Sequence, residues 1–209
     1  CIRDRVAITP KLNGTSFANP INLTVTPGAP STSNSTVSGT SSTMVAGSGA
    51  TTTLTVTLKD ANGNNLTASG GTVTFSVSGT GTGTLGNVTN NNDGTYTVTY
   101  TAGTTAGNVS ILPRINGNAF ASPLNLSIIP GAVSTSTSVV TASPTSLVAG
   151  TGATSILTVQ LKDANGNNLT ASAGTITFAS LASGAGSLGT VTDNLDGTYT
   201  VIYTVGTNQ

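Results

Sequence analysis

The sequence predicts an all-β chain built from tandem antiparallel β-sandwiches. Three observations predict this fold: apolar residues alternate with polar residues at a period of two, turn sequences separate the alternating runs, and the whole pattern recurs after 103 residues. A period of two places successive side chains on opposite faces of a strand. One buried face and one solvated face are typical of antiparallel sheets. A helical period of 3.6 is not found, so we expect no helix.

The internal repeat is the strongest pattern in the chain. Residues 59–69 read KDANGNNLTAS, and residues 162–172 read the same eleven letters. The offset of 103 holds elsewhere without a gap, since DGTYTV stands both at residues 93–98 and at residues 196–201. The chain is therefore expected to copy one structural unit along its length.

The offset divides the 209 residues into three parts. Residues 1–27 are expected to be the C-terminal strands of a preceding repeat, residues 28–130 a complete repeat, and residues 131–209 a truncated repeat that lacks its last strands. Residues 1–5 have no counterpart at residues 104–108, and we expect them to be non-native. A lipid-modified N-terminal Cys1 is the alternative interpretation. The chain is expected to be a fragment of a longer array.

Five alternating runs are expected to be the main strands of the complete repeat. Their outward positions are rich in Thr, whose branched side chain suits a pleated surface and keeps it soluble without charge. The inward apolar residues, in chain order, are Leu54, Val56 and Leu58; Val73, Phe75 and Val77; Tyr96, Val98 and Tyr100; Val109 and Ile111; and Leu124, Leu126 and Ile128. Several short strands in about a hundred residues indicate a two-sheet sandwich.

Turn sequences lie between these runs. Residues 60–65 read DANGNN, residues 91–94 read NNDG, and Asn116 precedes Gly117. Asn and Gly tolerate the positive φ that tight turns need. The units meet at two short joints, Pro27-Gly28-Ala29 and Pro130-Gly131-Ala132. Joints of this length predict a semi-rigid rod with limited bending.

The composition argues against an enzyme. Only 6% of residues are charged, the net charge is 0, there is no His, and there is one Cys. General acid–base catalysis, activation of a Ser nucleophile, and zinc or copper sites all depend on residues that this chain lacks. The six basic residues are scattered, which argues against nucleic-acid binding. We expect no catalytic residue, no cofactor, no nucleic-acid partner and no membrane contact within this chain.

One short segment invites a metal hypothesis. Asp60, Asn62 and Asn64 have the alternating oxygen spacing with which a calcium loop begins. The rest of the loop does not match, because Gly63 is misplaced and no Glu is available to complete the ligand shell. We therefore favour a hairpin-type loop and keep these three residues as weak calcium candidates. Asp193 and Asp196 form a second acidic pair, which we interpret as part of a turn.

Three segments resemble the bacterial immunoglobulin-like repeats of the invasin and intimin type, including invasin domain 3. They are SVVTASPTSLVAG at residues 138–150, TVQLKDANGNNL at residues 158–169, and TVTDNLDGTYTVIY at residues 190–203. The second half of the repeat also resembles a filamin-type repeat, through DGTYTVTY at residues 93–100 and SPLNLSIIPG at residues 122–131. The resemblance implies tandem immunoglobulin-like sandwiches in a bacterial surface or secreted protein involved in cell adhesion.

Three functions remain open at this point. The resemblance favours a structural stalk or spacer whose partners are the neighbouring repeats of the same chain, at the bacterial cell surface or outside the cell. In such proteins a host or cell-surface ligand is usually bound by specialised terminal domains, and none is recognisable in this chain. The alternatives are an immunoglobulin-like module that binds a glycan or host protein directly, and a filamin-like cross-linker. The four tyrosines, Tyr96, Tyr100, Tyr199 and Tyr203, alternate inward as core residues, which argues against an aromatic platform for sugars.

Overall fold

The computed structural model describes residues 4–179 and 186–207. Across these residues the chain forms strands and turns, and no helix is present. It follows that this part of the chain contains no helix long and apolar enough to cross a membrane. Of the five residues expected to be non-native, Cys1 to Arg3 lie outside the described residues.

The N-terminal segment is a pair of small antiparallel sheets. The first strand of the segment pairs with its last, and the two shortest strands form a hairpin between them. The strands are β1 (Asp4–Ile8), β2 (Lys11–Leu12), β3 (Thr15–Ser16) and β4 (Ile21–Val25).

The predicted complete repeat, residues 28–130, contains two five-stranded sheets, and we call it the central unit. Its strands are β5 (Thr36–Gly39), β6 (Thr43–Val45), β7 (Thr51–Thr57), β8 (Val73–Gly79), β9 (Gly83–Leu85), β10 (Thr89–Asn90), β11 (Thr95–Ala102), β12 (Gly107–Ile115), β13 (Asn118–Ala119) and β14 (Leu124–Ile129). One sheet has the order β10-β11-β7-β5 with β9 beside β11, and the other has the order β13-β12-β14-β6 with β8 beside β12. The predicted two-sheet sandwich is confirmed.

One pair of strands in this unit runs parallel. After β5 the chain crosses to the other sheet, and β6 then lies beside β14 in the same direction. Two backbone bonds frame the pair: Ser127 N–H donates to Ser42 O at 2.8 Å, and Ala46 N–H donates to Ile129 O at 2.9 Å. The sequence predicted antiparallel pairing, which holds for every other strand pair of the described residues.

The predicted alternation forms the core of the central unit. Apolar side chains of both sheets pack in two clusters, one around Leu54, Tyr100 and Ile111 and the other around Leu58 and Tyr96. One inward position was predicted wrongly: Val77 is 44% exposed. It lies near the end of β8, which pairs with β12 alone. Phe75, two residues earlier, packs against both clusters.

The C-terminal unit consists of a single five-stranded sheet in the described residues. Its strands are β15 (Val133–Ser143), β16 (Thr154–Asp163), β17 (Gly186–Leu188), β18 (Thr192–Asp193) and β19 (Thr198–Val205). A small core of Val159, Leu161 and Tyr199 packs on it. The repeat positions that supply β12 and β14 in the central unit have no counterpart within the 209 residues, because residue 107 corresponds to position 210.

The same repeat positions are buried in one part of the chain and exposed in another. Val109, Ile111, Leu126 and Ile128 of the central unit are at most 2% exposed. Their counterparts in the N-terminal segment, among them Leu23, are 46 to 57% exposed. The N-terminal segment therefore presents on its surface the apolar side chains that the sandwich buries.

The inward prediction for the tyrosines is confirmed for Tyr96, Tyr100 and Tyr199, which are at most 2% exposed, whereas Tyr203 is half-buried. The Tyr96 hydroxyl donates to Gly71 O at 2.6 Å and accepts the Gly70 N–H at 3.2 Å. Tyr199 makes the matching bond to Gly174 O at 2.8 Å. These hydroxyls fasten a loop of each unit to its core.

Candidate functional site

The loop at residues 60–65 follows β7 and brings the weak calcium candidates together. The inward alternation of Leu54, Val56 and Leu58 continues to Asp60, whose side chain is therefore buried and only 3% exposed. The backbone closes as a hairpin: Gly63 N–H donates to Asp60 O, and Lys59 bridges to Asn65. We call residues 60–65 and their repeat counterparts, residues 163–168, the joint loops.

Four N–H groups surround the Asp60 carboxylate. Its Oδ1 accepts the backbone N–H groups of Asn62 and Asn64, both at 2.9 Å. Its Oδ2 accepts the Asn64 side-chain amide at 3.0 Å and the backbone N–H of Gly28 at 3.0 Å. A buried carboxylate needs such donors, because leaving it without partners would be costly.

This geometry differs from that of a calcium loop. A calcium ion requires oxygen ligands that converge on one point. Here Asn64 turns its amide nitrogen toward Asp60, and Asn62 contributes its backbone N–H. In the part of the chain that the structure describes, no group of three or more His, Cys, Asp or Glu residues is placed to hold a metal ion.

The donors also govern the ionisation of this carboxyl. The Asn64 side-chain amide, followed by the Gly28 N–H, lowers the pKa of Asp60 from 3.8 to about 2. Hydrogen bonds to the charged form stabilise it, and here they outweigh the opposing effect of burial. At neutral pH Asp60 is thus held as a carboxylate that accepts hydrogen bonds at the end of the sandwich.

The C-terminal unit repeats the arrangement at Asp163, which is 1% exposed. Its carboxylate accepts the N–H groups of Asn165 and Asn167 at 2.9 Å, the Asn167 side-chain amide at 2.8 Å, and the Gly131 N–H at 2.9 Å. Burial raises the pKa of Asp163, but the donors from Asn167 and Gly131 outweigh it, so its pKa lies below the usual value.

The fourth donor ties the joint between units to the body of the following unit. Gly28 and Gly131 are the central residues of the two short joints, and each lies 32 residues before the Asp that accepts its N–H. Sequence reasoning placed Asp60 in a turn and did not find this contact. The available signal was that joint and loop recur together at one fixed separation in both repeats.

The second acidic pair, Asp193 and Asp196, shapes a turn. Asp196 accepts both the backbone N–H and the hydroxyl of Thr198, at 2.9 and 2.6 Å. Asp193 accepts the Leu195 N–H at 2.9 Å. The two residues therefore act in the same turn, as their spacing predicted, and their hydrogen bonds lower both pKa values below the ordinary range.

An open cleft of about 790 Å³ lies beside the first joint loop. Residues 25–27 form one wall, and residues of the loop, together with Thr57, Asp93 and Thr95, form the other. None of the lining side chains is aromatic, and Thr and Asn residues line the cleft together with the apolar Val25, Pro27 and Leu66.

The chain matches the family described as invasin, domain 3, over residues 31–131 and again over residues 134–209. The chain belongs to the invasin domain 3 family. No curated protein matches it. The two matched stretches meet close to Gly131, the joint residue that Asp163 binds.

Solved structures similar to this invasin domain 3 chain include bacterial adhesins. FdeC, an adhesin of Escherichia coli, is 31% identical over 98% of this chain and 66% of its own, with a TM-score of 0.58. InvD of Yersinia pseudotuberculosis is 33% identical over 85% of this chain and 50% of its own, with a TM-score of 0.61. Invasin, a bacterial integrin-binding protein, shares the fold at 22% identity over 99% of this chain and 41% of its own, with a TM-score of 0.59.

The chain therefore spans between 41 and 66% of the length of those three structures. A filamin domain is also among the similar structures, at a TM-score of 0.38. The invasin-type resemblance seen in the sequence is confirmed, and so is the immunoglobulin-like, all-β fold. The matched families are adhesin and invasin domains rather than enzymes.

Proposed function

We propose that this chain serves as structural spacer repeats in the stalk of an adhesin-like protein, at the bacterial cell surface or secreted from the cell. The observation that carries the proposal is the tie between joint and unit. A buried carboxylate holds the joint in the same way at Gly28 and at Gly131, at 3.0 and 2.9 Å. A fixed connection repeated every 103 residues suits a chain whose task is to build length.

The chemistry of the described residues supports a role without catalysis or metal binding. The buried carboxylates of Asp60 and Asp163 are each surrounded by N–H donors. Three further aspartates accept hydrogen bonds within their own turns: Asp93, Asp193 and Asp196. We accordingly propose that Asp60, Asn62 and Asn64 are a structural loop and not a calcium site. Neighbouring repeats of the same chain are the proposed partners, and any host ligand would be bound by other domains.

A display experiment tests the spacer role. An epitope tag is anchored to a bacterial surface through no copy, one copy or two copies of the 209-residue chain, and beads coated with antibody are offered through a polymer brush. We expect bead capture to increase with copy number, because each copy moves the tag outward. Capture that is independent of copy number would contradict the proposal.

A binding assay addresses the alternative of a module that itself recognises a glycan or host protein. The purified chain is offered to host cells and to an immobilised glycan panel. Saturable binding by the chain alone would replace the spacer proposal with a recognition function. The cleft beside the first joint loop would then be the first surface to mutate.

A further inference from the structure

The second joint loop contacts the unit that precedes it. The Asn167 side chain reaches across to the central unit, where its Oδ1 accepts the Ala106 N–H at 2.9 Å and its Nδ2 donates to Thr104 O at 2.8 Å. The same Nδ2 donates its other hydrogen to Asp163 Oδ2 at 2.8 Å. A primary amide has two donor hydrogens, and both are used here.

Asp163 therefore takes part in two contacts at the boundary between the units. Its Oδ2 accepts the N–H of Gly131 in the joint and also the amide that reaches the preceding unit. The carboxylate orients Asn167, since an acceptor on one side fixes which way the amide points. Joint, loop and preceding unit thus share one hydrogen-bonded network.

A second contact comes from the neighbouring asparagine of the loop. The Asn165 side chain lies against Gly47 of the central unit so closely that a methyl group at Gly47 would overlap it. Gly150 is the repeat counterpart of Gly47, with a similar positive φ of 75° against 70°. A methyl group at Gly150 would meet nothing within 4 Å. The crowding at Gly47 therefore comes from the following unit and not from its own turn.

We infer that the second joint loop is the surface by which the C-terminal unit docks on the central unit, and that Asn167 sets the orientation of the two. The partner is the backbone of residues 104–106, which offers one carbonyl and one N–H to a single amide. This inference rests on the proposed spacer role, and it names the contact that fixes the angle between two successive units of the spacer. Asn64 holds the matching position in the first joint loop.

Distances between two spin labels, measured by pulsed electron–electron double resonance, test the inference in the full chain. Spin labels are placed at the exposed, repeat-equivalent positions Thr89 and Thr192, each changed to Cys in a Cys1→Ser background. Asn167→Ala removes the docking amide. We expect it to turn one narrow distance distribution into a broad or shifted one.

Asn64→Ala is the matched control. It removes the equivalent amide bond to Asp60, but it lies at the other joint, so the distribution between the two labels should stay narrow. Equal distributions for the parent chain and Asn167→Ala would overturn the inference. An equal change in both variants would overturn it as well, because it would show a general loosening of the fold.

A second pair of variants approaches the contact from the preceding unit. Gly47→Ala and Gly150→Ala carry the same backbone strain, since both residues have positive φ. Only the methyl group at Gly47 would meet the neighbouring loop. We expect the distances to broaden or shift for Gly47→Ala alone, and an equal change for Gly150→Ala would contradict the docking surface, because it would trace the effect to strain in the turn. The two proposals can fail separately. If the distances do not support the docking contact, bead capture in the display experiment can still increase with copy number and support the spacer role.

Discussion

Two tyrosines of β11 show how one residue type in one register can meet different surroundings. Tyr96 and Tyr100 are both buried on the inner face of the sheet. The Tyr96 hydroxyl bonds to the backbone of Gly70 and Gly71, whereas the Tyr100 hydroxyl has no hydrogen-bond partner among the described residues. Burial raises the pKa of Tyr100. A buried hydroxyl without a partner lowers the free energy of unfolding. Removing the hydroxyl should therefore have opposite effects on stability at Tyr96 and at Tyr100.

Replacing each tyrosine by phenylalanine tests this difference. Tyr96→Phe should lower the free energy of unfolding by about 1 kcal/mol, because it leaves backbone groups without a partner. Tyr100→Phe should leave it unchanged or raise it by up to about 1 kcal/mol, because only an unsatisfied group is lost. Urea unfolding of both variants beside the parent chain measures the two values. Equal losses would show that the Tyr100 hydroxyl has a partner in solution.

The sequence predicted the side of the strand on which these rings lie, but not the fate of their hydroxyls. Period two fixes the face, whereas the Tyr96 bond depends on a loop that folds back from about 25 residues earlier. The turn at residues 193–196 shows a similar limit. Leu195 stands where the central unit has Asn92, and it adopts the same positive φ, 63° against 59°. Composition alone would not place a leucine there.

At the scale of the element, each joint loop is organised by one buried carboxylate, which accepts hydrogen bonds from the loop itself and from the joint. Its pH dependence follows from the pKa of Asp60, which is about 2 in the folded chain against 3.8 for an ordinary Asp. Above the ordinary value the carboxylate is ionised in both states, and its contribution to stability is fully present. As the pH falls from about 4 toward about 2, the unfolded chain takes up the proton first, and the contribution is lost.

Asp60→Asn should therefore flatten the fall in unfolding free energy between about pH 5 and about pH 2. The same variant should speed amide hydrogen exchange at Gly28, whose N–H loses its carboxylate acceptor. Exchange at Gly131 is the internal control, because Asp163 holds that amide and is unchanged. Unaltered exchange at Gly28 would mean that Asp60 does not hold the joint.

The loop itself could be predicted from its Asn-Gly sequence, and the structure forms that hairpin. The bond to the joint could not be predicted in the same way. It joins residues 32 positions apart, and only the packed sandwich brings the joint to the end of β7. Likewise, the spacing of Asp60, Asn62 and Asn64 suggested a metal site. The sequence does not show whether an asparagine side chain presents its oxygen or its nitrogen to a neighbour.

At the scale of the whole molecule, one repeat position exists in two environments. Leu126 is 2% exposed inside the sandwich, and its counterpart Leu23 is 49% exposed in the N-terminal segment. Leu126→Ala should lower the free energy of unfolding by about 2–5 kcal/mol, because it leaves a cavity in a packed core. Leu23→Ala should change it by less than about 0.5 kcal/mol. Urea unfolding compares the two, and similar losses would show that Leu23 is buried in solution.

The repeat arithmetic predicted which residues are equivalent but could not predict which of them are buried. The apolar residues of β12 and β14 are buried because they pack against the opposing sheet of the same unit. In the N-terminal segment the described strands pair only with one another. The division at residues 27/28 and 130/131 stays a prediction, as does the rod-like shape inferred from the short joints.

The parallel pair of β6 and β14 has a consequence for mechanical force. Tension along an array would pull the chain before β6 toward one end of the unit and the chain after β14 toward the other. Because the two strands point the same way, such a pull slides them past each other along their length. The bonds from Ser127 to Ser42 and from Ala46 to Ile129 are then strained together in shear rather than opened one after another like a zip. An array of such units would therefore resist extension at this pair.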